Sequence, residues 1–346
     1  MEGASPADRR WGLVTVPTGD GRTRAGLRDV DGGPVWLPDA LADCATALDV
    51  IVHWDRLTPW LRTISPEQVA EQAARQGAGK RYEPAAEQEA GPIAGSAAGR
   101  DAGGGPYVGG AAAGSVLTPL IYPRKVLCSG PNYRDHLAEM GESGLGEGWR
   151  GYFFFKPPST TLIGPEDAIL VGPDWMTDRV DWEGELAVVI GRGGRDIPPG
   201  DALSHVAGYT VANDVSLRGP HRRNTPAAPF VWDWTASKAA DTSLPLGPAV
   251  VPAWQVPDPQ DLRVRTRVNG EPRQDGHTAD MVLEVAELVA DASALVTLEP
   301  GDVILTGTPA GVGAARGTFL RPGDVVEVEI PGIGRLRNPI RERKEH

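Results

Sequence analysis

Alternating hydrophobic and polar positions predict short β-strands through most of the chain. The segment "RVRTRVNGEPR" alternates on both sides of Asn269-Gly270, a residue pair typical of a tight hairpin turn. Two further segments, "EPGDVILTGTP" and "RPGDVVEVEIPG", each place a Pro-Gly-Asp turn before a strand. The segment "DWEGELAVVI" ends in apolar residues 186–190, which predict a strand buried on both faces.

Helical periodicity occurs in two stretches. The first is "PEQVAEQAARQ". The second places five apolar residues on one face, with Thr278 or Asp280 as the N-cap: Met281, Val285, Leu288, Val289 and Ala292. We therefore predict a mostly β fold with a few helices (α+β), organised as a rolled β-sheet or a β-barrel-like domain.

Composition divides the chain into three parts. Residues 1–76 form a small N-terminal domain, and strand and turn signals make its segment 11–60 look β-rich. Residues 77–115 are rich in Gly and Ala with almost no side chains to bury, which predicts a linker or mobile loop. Residues 116–346 form the main domain.

Charge and composition exclude several classes of partner. The net charge of −12 argues against nucleic acid and anionic membranes. No apolar run approaches a membrane span, and the opening residues lack the apolar core of a signal peptide. Two cysteines, Cys44 and Cys128, are too few for a disulfide framework or a cysteine metal site. We expect a cytoplasmic protein.

Two carboxylates open the buried strand of "DWEGELAVVI". Glu183 and Glu185 are two residues apart, so on a strand they point to the same side and repel each other. A divalent cation between them would make the arrangement favourable, and Asp214, at the end of another apolar run, is a third candidate ligand. Mg²⁺ or Mn²⁺ suits carboxylates better than zinc does. The alternative is an exposed pair of acids that binds no metal.

Six segments resemble the fumarylacetoacetate hydrolase family in their order and spacing. They are "GPNYRDHLAEMG", "FFFKPPSTTLIG", "VDWEGELAVVIG", "VAGYTVANDVS", "SKAADTSLPLGP" and "LEPGDVILTGTPAGVG", and they span residues 122–338. The resemblance, to the branch of acylpyruvases and 2-hydroxyhepta-2,4-diene-1,7-dioate isomerases, implies a rolled β-sheet domain. It also implies a homodimer and one Mg²⁺ or Mn²⁺ held by Glu183, Glu185 and Asp214. The implied substrates are β-diketo acids, acylpyruvates and related oxo acids.

Two catalytic candidates lie in "NYRDHLAEM". His136 and Glu139 are three residues apart, close enough on one helical turn for a hydrogen bond. The carboxylate would orient the imidazole as a general base. The alternative is an ordinary surface pair. The family carries a His–Glu pair here on a lid segment, and the glycine-rich "GESGLGEGWRG" that follows suits a mobile lid.

Three more residues match family positions near the metal. Lys238 corresponds to a lysine that would orient a substrate carboxylate and stabilise an enolate or oxyanion. Thr308 in "TGTPAG" corresponds to a threonine that contacts substrate, and Lys156 in "FFFKPPS" also has a counterpart near the site. For Lys238 the alternative is an exposed lysine, and for Thr308 it is an ordinary Gly/Pro turn.

One segment departs from the family pattern. After "NDVSLR" this chain has Gly219 in place of the usual acid, followed by Pro220-His221 and two arginines. We therefore expect this chain to share the metal chemistry of the family more closely than its substrates. Trp232 and Trp234 could line a pocket beside Lys238 or pack in the core. His205 and His277 look structural or solvated.

The implied reaction is hydrolysis of a carbon–carbon bond in a β-diketo acid or acylpyruvate through a metal-stabilised enolate. Isomerisation of hydroxymuconate-type diacids and decarboxylation of an oxo acid use the same site and stay open. A family member that binds a metabolite without catalysis is the alternative of a different class.

Overall fold

The computed structural model describes residues 9–18, 20–77, 116–142, 150–172, 179–219, 222–225 and 231–343. The strands in these ranges are β1 (Trp11–Pro17), β2 (Thr23–Asp29), β3 (Val126–Ser129), β4 (Phe153–Phe155), β5 (Leu162–Ile163), β6 (Ile169–Val171), β7 (Val180–Asp181), β8 (Gly184–Ile190), β9 (Val206–Asn213), β10 (Ser216–Leu217), β11 (Leu244–Pro252), β12 (Arg263–Val268), β13 (Glu271–His277), β14 (Val303–Leu305), β15 (Val325–Ile330) and β16 (Gly334–Glu342). The helices are α1 (Ala47–Val52), α2 (Trp54–Leu61), α3 (Pro66–Gly77), α4 (Arg134–Glu139), α5 (Pro158–Thr161), α6 (Pro199–Ala202), α7 (Trp234–Lys238), α8 (Val285–Leu295) and α9 (Gly313–Arg316).

The strands form two main sheets. The larger has the order β2-β1-β11-β9-β8-β14-β3-β4, with β5 paired to β11, and the smaller has the order β13-β12-β15-β16-β6. Strands β7 and β10 pair separately. The predicted α+β fold, with strands in the majority, is confirmed.

Strand β8 lies between two hydrophobic cores. Leu186 and Val188 belong to a cluster that includes residues of the smaller sheet and of α8. Ala187 and Val189 point the other way, into a cluster with residues of α1 and α2. Successive side chains of a strand alternate between its faces, so both faces of β8 are covered. The prediction of a strand buried on both faces is confirmed.

The N-terminal segment contains more helix than the sequence pattern predicted. Strand β1 pairs with β2 and, through Leu13 and Val250, with β11 of the larger sheet. Helices α1 and α2 then occupy much of the segment that looked β-rich. Thr46 begins α1 with a capping box, in which its side chain and that of Asp49 bind each other's backbone N–H groups. This signal outweighs the turn signals around it. The predicted helix in "PEQVAEQAARQ" is confirmed as α3.

Two local predictions in the main domain have different outcomes. The hairpin at Asn269-Gly270 is confirmed, with φ of 54° and 80° at the two turn residues. The predicted N-cap of the late helix is wrong, because α8 begins at Val285 with Glu284 as its N-cap. Met281 is buried but lies before the helix, in an isolated bridge to Tyr133.

Most of the predicted linker, residues 78–115, lies outside the described residues, so the three-part division of the chain stays a prediction. Among the described helices, none combines the length and apolar character that a membrane span requires.

Candidate metal centre and active site

Antiparallel pairing of β8 and β9 brings three carboxylates together. The first residue of β8, Gly184, pairs with the last residue of β9, Asn213. Glu183, Glu185 and Asp214 therefore meet at one end of the sheet, where the Asp214 N–H donates to the Glu183 carbonyl oxygen at 2.9 Å. All three side chains are buried, and one ligand atom from each lies within 4.8 Å of the others. We call these three residues the carboxylate cluster.

Three cationic side chains surround the carboxylate cluster. The Nζ of Lys238 lies 2.7 Å from a Glu183 oxygen and 2.8 Å from an Asp214 oxygen. The Nζ of Lys156 lies 2.6 Å from the other Asp214 oxygen, and Arg218 donates to Glu183 at 2.6 Å. These three cations partly offset the mutual repulsion of the carboxylates. The sequence analysis named both lysines as site residues but did not anticipate Arg218.

The neighbouring cations compensate the charges of the two glutamates unequally. Burial would raise the pKa of Glu183, but Lys238 and Arg218 outweigh it and lower the pKa to about 2. Burial, together with the charges of Asp214 and Glu183, raises the pKa of Glu185 well above its usual value. Glu185 accepts a hydrogen bond from the Gly307 N–H at 2.7 Å, and no described cation forms an ion pair with it.

These residues fit a hard divalent cation. A buried carboxylate without a cationic partner is costly, and a cation beside Glu185 would remove that cost. The three donors are all carboxylate oxygens, which Mg²⁺ and Mn²⁺ prefer. Within the described ranges, this is the one group of histidine, cysteine or acidic residues placed closely enough to hold a metal ion.

The predicted dyad lies beside the carboxylate cluster. His136 is on α4, is buried, and its Nδ1 lies 3.1 Å from an oxygen of Glu139. Glu139 is fixed in turn, because it accepts the Gly311 N–H at 2.9 and 3.1 Å. The loop that contains Gly311 also donates a backbone N–H to Glu185, so it connects the dyad to the cluster. Most of the glycine-rich segment predicted to be a lid, residues 143–149, lies outside the described residues.

Thr308 supports the strand that carries the glutamates. Its hydroxyl donates to the Gly184 carbonyl at 2.9 Å and accepts from Gln274 at 2.7 Å. The structure therefore brings Thr308 next to the cluster and shows its hydroxyl hydrogen already donated to the backbone. Its contact with substrate stays a prediction.

Gln274 is a residue of the site that sequence reasoning missed. Its Oε1 accepts from the Gly184 N–H at 3.0 Å and from Thr266, and its Nε2 donates to Thr308 and to the Pro309 carbonyl. All four contacts are 3.0 Å or shorter, and the side chain is 2% exposed. A glutamine on an alternating hairpin strand carries no signal of such contacts.

The remaining candidates lie at or beyond the edge of the site. Trp232 and Trp234 are exposed rather than packed in the core, and Trp234 stacks on Phe154. His205 and His277 bind nearby backbone atoms on the surface, as expected of structural histidines. In the departing segment, Arg222 and Arg223 are exposed, and Pro220-His221 lie outside the described residues.

Comparison with known proteins identifies the family. The model of the fumarylacetoacetate hydrolase C-terminal domain matches residues 125–341, well over half of the chain. The chain belongs to the fumarylacetoacetate hydrolase family. It is an enzyme of that family, and the match includes every residue of the carboxylate cluster and the dyad.

Relatives in the fumarylacetoacetate hydrolase family bear the names of different reactions. "Oxaloacetate tautomerase fahd2, mitochondrial" of Xenopus laevis is 42% identical over 65% of this chain and 68% of its own. A probable 2-hydroxyhepta-2,4-diene-1,7-dioate isomerase of Mycobacterium abscessus is 27% identical, with a TM-score of 0.67, over 96% of this chain and 100% of its own. Fumarylpyruvate hydrolase of Pseudomonas aeruginosa, solved with Mn²⁺ and pyruvate, is 30% identical, with a TM-score of 0.56, over 68% and 94%.

Proposed function

We propose that the protein is a divalent-metal-dependent hydrolase that cleaves a carbon–carbon bond in a β-diketo acid or acylpyruvate. The observation that carries this proposal is the position of the His136–Glu139 pair, which one loop connects to the buried carboxylate cluster. Hydrolysis needs a base to activate water, and this pair supplies one.

Glu183, Glu185 and Asp214 would hold one Mg²⁺ or Mn²⁺. The bound ion would act as a Lewis acid that polarises the oxygens of an oxo acid. The Pseudomonas aeruginosa fumarylpyruvate hydrolase, solved with Mn²⁺ and pyruvate, supports this choice of ion. Pyruvate is also the three-carbon product that hydrolysis of an acylpyruvate releases.

The other site residues move the proton and balance charge. His136 takes a proton from water, whose oxygen forms a bond to the acyl carbon, and Glu139 holds the imidazole through Nδ1. The bond between the acyl carbon and the adjacent methylene carbon breaks, its electron pair stays on the three-carbon fragment as an enolate, and a proton restores pyruvate. Lys238 supplies positive charge beside the developing oxyanion, and Lys156 and Thr308 complete the proposed substrate contacts.

Proton transfer without bond cleavage is the second candidate. The names of the Xenopus laevis tautomerase and the Mycobacterium abscessus isomerase favour it. Such a reaction needs His136 to remove a proton from one carbon or oxygen and return it to another. Decarboxylation of an oxo acid on the same site is a third outcome, and it needs no activated water.

One pair of proteins tests these alternatives. Wild type and His136→Ala are assayed with Mn²⁺ on acetopyruvate, following pyruvate release, and on oxaloacetate, following both keto–enol exchange and release of carbon dioxide. We expect acetopyruvate hydrolysis to fall by roughly 10²–10⁴-fold in the variant. Mn²⁺ and oxalate affinities should stay unchanged, because the base acts on water and not on the ion.

The opposing outcomes are equally specific. Fast keto–enol exchange of oxaloacetate without pyruvate release from acetopyruvate would favour the second candidate. Equal hydrolysis by wild type and His136→Ala would remove the general-base assignment and leave the reaction to the metal and Lys238.

We further propose that the protein is a cytoplasmic homodimer, as the family resemblance implies. Sedimentation equilibrium of the purified chain measures the oligomeric state, and fractionation of the source cells measures the location.

A further inference from the structure

Four aromatic side chains lie against one another beside the carboxylate cluster. Trp234 stacks on Phe154, with ring centres 5.3 Å apart and planes 13° apart, and Trp232 stacks on Trp234 at 6.5 Å and 21°. Tyr152 is tilted against Phe154 at 6.4 Å and against Trp234 at 5.6 Å. We call these four residues the aromatic wall.

The aromatic wall begins at the carboxylate cluster. The Nζ of Lys238 lies 5.2 Å from the centre of the Phe154 ring, and the same atom contacts Glu183 and Asp214. Trp234 and Lys238 are the first and last residues of α7, four positions apart, which places them on the same side of the helix. One helical turn therefore connects the wall to the cluster.

Exposure increases along the aromatic wall away from the cluster. Phe154 is 9% exposed and Trp234 36%, whereas Tyr152 is 41% exposed and Trp232 56%. Contiguous exposed apolar surface of this kind usually marks a binding site on a soluble protein. The least exposed end of the aromatic wall lies at the proposed substrate-binding site.

We propose that the aromatic wall binds the far end of the substrate and selects oxo acids with a planar, unsaturated or aromatic substituent. This inference rests on the proposed function, because the oxo-acid end of the substrate has to lie at the carboxylate cluster. A flat conjugated group can lie on or against the wall's rings in the offset or edge-to-face arrangements that aromatic groups prefer. A saturated ring of similar size lacks the π-system that makes these arrangements favourable.

Strand β4 supplies a matched control for the wall. Tyr152 and Phe154 contact each other, whereas Phe155, the next residue along, points to the opposite face of the strand. Phe155 is 55% exposed, so it offers the same kind of apolar surface outside the wall.

Inert oxo-acid analogues test the proposal without turnover. Oxamate, N-phenyloxamate and N-cyclohexyloxamate are titrated calorimetrically into the full-length protein with Mn²⁺ and, separately, with EDTA. We expect the phenyl compound to bind about 3- to 10-fold more tightly than the cyclohexyl compound, the range expected for a favourable aromatic contact. Trp234→Leu, Trp232→Leu and Tyr152→Leu should each reduce that ratio without changing oxamate affinity, and Phe155→Leu should leave it unchanged.

Each contrary result has a distinct meaning. Metal-dependent oxamate binding with equal phenyl and cyclohexyl affinities would overturn the wall proposal and leave the proposed function intact. Retention of the phenyl preference in all three wall variants would also overturn it. A wall variant that sediments differently from the wild type but keeps its preference for the phenyl compound would instead identify the wall as a contact between two copies of the chain. Loss of all oxamate binding in the wild type would overturn both proposals.

Discussion

Gln274 accepts a hydrogen bond at 3.0 Å from the backbone N–H of Gly184, the residue that lies between the two glutamates of the carboxylate cluster. A Cβ on Gly184 would collide with Thr266, a second partner of Gln274, so glycine is needed for this close approach. Gln274 is therefore placed to fix the spacing of Glu183 and Glu185 without contacting a metal or substrate itself.

We expect Gln274→Leu to weaken Mn²⁺ binding by about 10- to 100-fold, the usual effect of removing a residue that orients metal ligands. Titration calorimetry measures the affinity. Gln260→Leu is the matched control, because Gln260 makes similar, part-buried hydrogen bonds to Thr278 and Val285 away from the cluster. It should lower the free energy of unfolding and leave Mn²⁺ affinity unchanged. Equal Mn²⁺ affinity in wild type and Gln274→Leu would contradict the positioning role.

The ligand variants should lose metal binding alike but differ in stability. The buried ammonium groups of Lys156 and Lys238 both bind Asp214. Asp214→Ala removes this shared partner and should lower the free energy of unfolding of the metal-free protein by roughly 3–5 kcal/mol. Burial and the charges of Asp214 and Glu183 raise the pKa of Glu185, so the metal-free protein disfavours its charged form. Glu185→Gln removes this ionisable group, and the metal-free variant should therefore be at least as stable as the wild type. Urea unfolding in EDTA and Mn²⁺ titration provide the two measurements. Wild-type Mn²⁺ affinity in Glu185→Gln would remove that residue from the ligand set.

Glu139→Gln should reduce acetopyruvate hydrolysis less than His136→Ala does. Glutamine keeps an oxygen for the Gly311 N–H but no longer offers His136 a negative charge. Steady-state pyruvate release measures the loss in kcat. Glu142→Gln makes the same chemical change three residues along, at an exposed position, and should retain full activity. A larger loss for Glu139→Gln than for His136→Ala would show that Glu139, rather than the imidazole, is the base.

Arg218→Met should change how stability depends on pH. The pKa of Glu183 is lowered from 4.5 to about 2, with burial opposing the shift and Lys238 and Arg218 driving it. A lowered carboxyl pKa stabilises the fold above about pH 4.5, and this contribution is lost as the pH falls toward about 2. Without Arg218 the pKa of Glu183 rises, so the gap in unfolding free energy between wild type and variant should be largest near neutral pH and shrink on acidification.

Urea unfolding in EDTA at a series of pH values measures that gap. Arg263→Met serves as the control, because Arg263 pairs with Asp275 on the surface, where both side chains are about half exposed. The difference in unfolding free energy between wild type and Arg263→Met should be small at every pH. A gap for Arg218→Met that stays constant down to about pH 3 would show that the arginine does not act through a titrating carboxylate.

Deletion of residues 80–112 should leave Mn²⁺ affinity and the free energy of unfolding close to those of the full chain. The stretch is rich in Gly and Ala and offers almost no side chains to bury. Calorimetry and urea unfolding of the shortened chain test this prediction. Insoluble protein would show that the stretch takes part in folding.

The sequence predicted the parts of the site that depend on local spacing. Glu183 and Glu185 are two residues apart on an extended chain, and His136 and Glu139 are one helical turn apart, so periodicity alone pairs them. Asp214 was already a candidate ligand as the acid that ends another apolar run, whereas Lys238 needed the family resemblance. The contacts of Gln274 with Gly184 and of Arg218 with Glu183 join residues 90 and 35 positions apart, and no local pattern encodes such contacts.

The same distinction applies to the fold. The Asn269-Gly270 hairpin was predictable because its turn requires positive φ at both positions, which few residues adopt. Helices α1 and α2 were missed, although Thr46 and Asp49 carry a local capping signal, because turn signals nearby suggested further strands. Helix α8 was placed too early, because Met281 is buried against a different partner, Tyr133, before the helix begins.

Pairing of β1 with β11 has a consequence for any shortened form of the enzyme. A chain that began at residue 116 would keep every residue of the carboxylate cluster but would leave part of β11 with unpaired backbone N–H and C=O groups. It would also uncover the face of β8 that Ala187 and Val189 share with the N-terminal helices. A strand edge and an apolar face exposed together are a template for self-association. Strand β1 and helices α1 and α2 thus cover an edge and a face of the larger sheet through which two chains could otherwise associate.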